Sequence, residues 1–191
     1  MTGTAQRPLL FLDVDGPLIP FGGEPLRYRD GDPIRRTGPG PGEGGSNPLL
    51  ARIDPRHGPR LAALPYELVW ATTWMADANE IIAPRIGLPR LAVVIWPEPS
   101  DEDERDEQDE RDARAGLHWK TRALVAWAAG RAFAWADDEI TDADRAWVSA
   151  HHRGHALLHR VDPREGLTDA DFAALDAWSR TTRTAAPPRP R

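Results

Sequence analysis

Cysteine is absent from all 191 residues. That excludes a disulfide framework, a zinc–thiolate site and a thiol nucleophile. Lysine is almost absent as well: Lys120 is the single one, and every other cation is an arginine. No apolar run approaches the ~20 residues that span a bilayer. The N-terminus also lacks the charged, apolar and small-residue regions of a secretory leader. These absences predict a cytoplasmic protein with no membrane partner. No basic cluster announces nucleic acid. The net charge of −6 is a local effect, because residues 98–114 hold ten acids and three arginines. Outside them, twenty acids face twenty-one cations.

What is present alternates between strand and helix. Apolar runs at 8–13, 67–72, 91–96, 131–136 and 155–161 read as strands. Between them, Met75, Ala78, Ile81, Ile82 and Ile86 fall at helical spacing over 74–86, as do Leu117, Leu124, Val125 and Trp127 over 117–129. Thr141 and Thr168 each open a T-D-A-D stretch with acids in the first turn, which predicts helices over 141–151 and 168–179. Such alternation predicts an α/β fold with a parallel sheet in one domain, residues 1–180. Three segments break the rhythm. Residues 17–48, Gly/Pro-rich, read as a flap over the site or as an unstructured insertion. Residues 98–114 form a solvated acidic insertion with charge pairs in helical register. Residues 181–191 form a disordered tail.

The most telling stretch is Leu9-Leu10-Phe11-Leu12-Asp13-Val14-Asp15-Gly16. A buried strand of a parallel sheet ends in two carboxylates one residue apart, at the edge where such sheets bind ligands. Residues i and i+2 of an extended chain point the same way, so the two acids repel unless a cation joins them. Gly16 lets the chain turn sharply behind them. Taken alone, Asp13 and Asp15 could equally cap the following loop. Matching partners stand at other strand ends: Thr72-Thr73 after the second strand and Asp137-Asp138-Glu139 after the fourth. Acids from two strand ends make an oxygen-rich site suited to Mg²⁺. Lys120 sits early in the helix leading to the fourth strand and can balance charge or bind phosphate.

In this order the motifs resemble those of the haloacid dehalogenase (HAD) superfamily of hydrolases. Asp13-Val14-Asp15-Gly16, Thr72, Lys120 and Asp137-Asp138 correspond to its four motifs and span most of the chain. Glu67 to Trp74 (E-L-V-W-A-T-T-W), followed by Ala78-Asn79-Glu80, is similar to HAD domains grouped with Swiss-army-knife RNA repair proteins. The resemblance implies a Rossmann-like sheet of order 5-4-1-2-3 with a small loop-like cap. It implies a Mg²⁺-dependent phosphohydrolase acting on a phosphomonoester. Asp13 is the implied nucleophile, forming an aspartyl-phosphate, and Asp15 the acid and base. Thr72 and Lys120 hold phosphoryl oxygens. Asp13, the carbonyl of Asp15, and Asp137 hold the metal, with Asp138 orienting Lys120 or a water of the metal. The second acid of the first motif points to the phosphatase branch. Pro17 stands where those phosphatases carry Thr or Val, which implies a stiffer turn.

Gly16, Thr73, Trp74, Arg27 and Arg29 are candidate substrate contacts, with Arg35 and Arg36 in the same insertion. The expected partner is a phosphorylated small molecule or a nucleic-acid end. The alternatives are an end phosphatase in RNA or DNA repair and a non-catalytic binding or regulatory domain. His151, His152, His155 and His159 read as a surface cluster rather than a metal site. Most of the eight tryptophans read as core, with Trp74 and Trp96 placed to line a pocket or stack on a base.

Overall fold

The computed structural model describes residues 6–21, 48–96, 108 and 110–184. Most of the expected 17–48 insertion and of the acidic segment falls outside these residues, as do Arg27, Arg29, Arg35 and Arg36. Five parallel strands form one sheet of order β3-β2-β1-β4-β5, the order expected from the motifs. They are β1 Leu9–Leu12, β2 Glu67–Trp70, β3 Ala92–Val93, β4 Phe133–Asp137 and β5 Ala156–Arg160. All four residues of β1 are fully buried, as a central strand covered on both faces requires.

Side chains alternate along β1, so one strand serves two cores. Leu9 and Phe11 join Val69, Phe133 and Trp135 on one face. Leu10 and Leu12 join Trp70, Ala134 and Ala136 on the other. The first face is covered by α3 (Lys120–Ala128) and α4 (Asp142–His151), through Leu124, Ala128 and Val148. The second is covered by α1 (His57–Ala63), α2 (Ala83–Ile86) and α5 (Asp169–Thr184), through Leu61, Ile86, Phe172 and Leu175. The result is a three-layer α/β/α arrangement.

The Thr141 cap forms in full, and at Thr168 the returning carboxylate of the first turn is in place. Thr141 and Asp144 close a reciprocal capping box at the start of α4. Thr168 N and Oγ1 likewise donate to Asp171 Oδ2 at 2.7 and 2.6 Å at the start of α5. Four elements differ from expectation. The last helix runs on to Thr184, into the tail expected over 181–191, of which residues 185–191 lie outside the described ones. The continuous helix expected over 74–86 is instead a turn, a π-helical turn Ala78–Ile82 and the short α2. Pro84 has no N–H for the ladder, and a widened turn accommodates its ring. The third strand shrinks to two residues because Ile95 points to solvent and Trp96 turns its indole to the carbonyl of Thr72. The helix expected from 117 begins at Lys120, and ahead of it the amide of His118 donates to Asp144. No helix among the described residues is long and apolar enough to cross a membrane.

Candidate active site

The register of the sheet sets the site. Leu12 of β1 pairs with Trp70 on one side and Ala136 on the other. Asp13 and Asp137 therefore leave the sheet level with each other, at the carboxyl ends of adjacent strands. The Asp13 amide donates to the Ala136 carbonyl at 3.1 Å, which seats the backbone beside β4.

Lys120 joins the two strand ends. Its Nζ lies 3.0 Å from Asp13 Oδ2 and 2.8 Å from Asp137 Oδ2, and all three side chains are buried. Asp137 is further fixed by Trp135 Nε1 at 3.1 Å and the Glu139 amide at 3.0 Å. Asp13 Oδ1 accepts from the Val14 amide at 2.8 Å. Asp13, Asp137 and Asp138 each offer an oxygen within 4.8 Å of the others. Gly16, at φ +81°, permits this approach: a Cβ there would lie 2.5 Å from Asp138 Cγ. The glycine is thus required both for the turn and for space.

Three carboxylates gather at one ammonium, which pairs with Asp13 and Asp137. Burial, and then the charge of Asp137, push the Asp13 carboxyl up to about 7 against the pull of Lys120. Burial and Asp137 also raise Asp138. Burial by itself would lower Lys120, but Asp13 and Asp137 together hold it above the ordinary lysine range. A cluster of buried oxygens with excess negative charge fits a hard divalent cation. Asp13, Asp137 and Asp138 are the side chains that would hold it.

Asp15 lies to one side. Its Oδ2 accepts from Trp74 Nε1 at 3.0 Å, and the Trp74 amide donates to Thr72 Oγ1 at 3.3 Å. Trp74 thereby links the second acid to the buried Thr72. Thr73 is exposed on the following turn. The loop behind Gly16 folds back, with Gly16 N on the Ile19 carbonyl at 3.1 Å, and the Pro17 carbonyl accepts from Leu167 N at 2.9 Å. Pro17 thus sits in a turn tied down at both ends.

Several residues at the site stand outside the four motifs. His118 Nε2 and Glu139 Oε2 are 2.9 Å apart, and the two form a second group of possible ligands with Asp137. Asp144, fully buried, accepts from His118 N at 2.8 Å and Thr121 Oγ1 at 2.6 Å besides capping α4. It anchors the segment that carries Lys120. The T-D-A-D pattern marks Asp144 as an acid in the first turn behind the Thr141 cap, but the contact with His118 joins residues 26 apart and is invisible in a local pattern. Trp119 is half exposed beside Lys120. The histidines at the end of α4 and on β5 do not converge: His152 pairs with the Arg131 carbonyl, His151 with the Trp147 carbonyl and His159 with Asp171.

A family model described as the HAD domain in Swiss Army Knife RNA repair proteins matches residues 9–172. No curated protein and no solved structure matches the chain.

Proposed function

This chain belongs to the family of HAD domains found in Swiss Army Knife RNA repair proteins, a branch of the HAD hydrolases, and on that premise we propose that it is a Mg²⁺-dependent phosphohydrolase acting on phosphomonoesters through an aspartyl-phosphate. The observation that carries the reading is the bridge of Lys120 between Asp13 and Asp137, with Asp138 alongside. A phosphomonoester resists attack because its own charge repels nucleophiles. Asp13 attacks phosphorus through a carboxylate oxygen and the ester oxygen leaves. Asp15 donates a proton to that oxygen, then takes one from the water that opens the acyl-phosphate. Lys120 and Thr72 hold the phosphoryl oxygens and offset their charge. Mg²⁺, when bound, supplies further charge neutralisation and orients the phosphoryl group. Asp15 can wait beside the leaving oxygen because Trp74 fixes its carboxylate at 3.0 Å.

Phosphate release from a panel of phosphomonoesters tests this reading. Turnover by the wild-type chain should need Mg²⁺, stop in EDTA and fall at least a thousandfold in Asp13→Asn. Unchanged turnover in either condition overturns it. The family's setting in RNA repair supports a second reading, in which the phosphomonoester is a nucleic-acid end. The complete set of acids argues against a non-catalytic binding domain.

A further inference from the structure

Beside the catalytic cluster lies a cleft of about 370 Å³ lined by Asp112, Leu117, His118, Trp119 and Glu139, among others. Trp119 is one of the few large apolar side chains left half exposed among the described residues. Its ring is held in place. Trp96 meets it edge to face, centroids 4.8 Å apart, and Trp96 is itself pinned by its Nε1 on the Thr72 carbonyl at 3.1 Å. Lys120 Nζ, which touches Asp13, lies 5.6 Å from the Trp119 centroid. The two indoles thus brace each other between the Thr72 strand end and the Lys120 helix, at the edge of the Asp13 cluster.

The cleft selects its occupant. Asp112 is already neutralised by Arg122 at 2.6 and 2.8 Å, so Glu139, largely exposed and touching only His118 through Oε2 at 2.9 Å, is the carboxylate left to repel a second phosphate and to accept from a ring amino group. A flat, neutral, amino-bearing ring satisfies both the indole and Glu139. We propose that Trp119, braced by Trp96, stacks the base of the terminal nucleotide whose phosphate is held at Asp13. This subsite rests on the phosphohydrolase reading and narrows its substrate to a nucleotide end.

The test uses a short oligoadenylate carrying a terminal phosphate, in 3′ and 5′ forms, and twins whose terminal nucleotide lacks its base. Binding is measured in the Asp13→Asn background with Mg²⁺, so that nothing turns over. The base-bearing probe of one polarity should bind about tenfold tighter than its twin, the range of a single stacked base. Adding Trp119→Ala should erase that difference, and Trp119→Phe should keep most of it. Trp119→Ala alone should hydrolyse β-glycerophosphate, which has no ring, at the wild-type kcat/KM. Equal or absent binding of the twins overturns the subsite, as does tighter binding of a phosphotyrosyl peptide. An equal loss of β-glycerophosphate hydrolysis also overturns it, because Trp119 would then act only by supporting Lys120. If the twins bind alike while β-glycerophosphate is hydrolysed, the subsite fails and the phosphohydrolase stands. If the twins differ and no phosphoester is hydrolysed, the stacking site stands and the phosphohydrolase reading fails.

Discussion

A buried carboxylate that cannot be fully compensated leaves a trace in stability, and Asp13 is such a group. Burial and Asp137 raise its pKa from 3.8 to about 7 in the folded chain. Between those values the folded state binds more protons than the unfolded one, so stability falls as pH rises across the window. Asp13→Asn removes the charge and keeps the shape. Denaturant unfolding in EDTA should therefore find the variant more stable than wild type by about 1–3 kcal/mol at pH 8, with the gap closing toward pH 4. Millimolar Mg²⁺ should raise the wild-type Tm more than that of the variant, because a ligand stabilises the state that binds it. A wild-type chain that is the more stable at pH 8 without metal would contradict this account of the cluster.

At the scale of elements, the site depends on how α3 is attached to α4. Asp144 carries out that attachment with one carboxylate. It accepts from Thr141 N and Oγ1 at 2.7 Å each, from His118 N at 2.8 Å and from Thr121 Oγ1 at 2.6 Å. Asp144→Ala leaves buried donors unpaired and removes the returning half of a capping box, which should lower stability by about 3 kcal/mol in chemical denaturation. It should also lower kcat for every phosphomonoester by a similar factor, since Lys120 loses its anchored segment whatever the leaving group. A loss confined to oligonucleotides would mean that Asp144 acts on the Trp119 cleft rather than on Lys120.

At the scale of the whole molecule, β1 joins two cores, and Phe11 shows the consequence. Its ring meets Trp127 and Phe133 edge to face at 5.5 and 5.4 Å, two residues before Asp13. Phe11→Ala opens a cavity under the nucleophile's own strand. It should cost about 3–5 kcal/mol and lower Tm by roughly 10 °C in calorimetry. Unfolding should remain one cooperative transition, because the same strand ties both faces.

The order of apolar runs and strand-end acids was enough to determine the α/β class and the parallel sheet and to single out Asp13, Asp15, Thr72, Lys120, Asp137 and Asp138 as candidates, while the strand order came from what the HAD resemblance implies. These features are local: an apolar run, a carboxylate at its end and a threonine cap all carry their signal within a few residues. Pairing between strands decided the rest. Only the register of Leu12 with Trp70 and Ala136 brings Asp13 level with Asp137, and only then does Lys120 span both. The links from Trp74 to Asp15, from Asp144 to His118 and from Trp96 to Trp119 join residues 59, 26 and 23 positions apart. No periodicity records such contacts, because the angle and distance between a tryptophan and a carboxylate are set by the layers that pack beneath them.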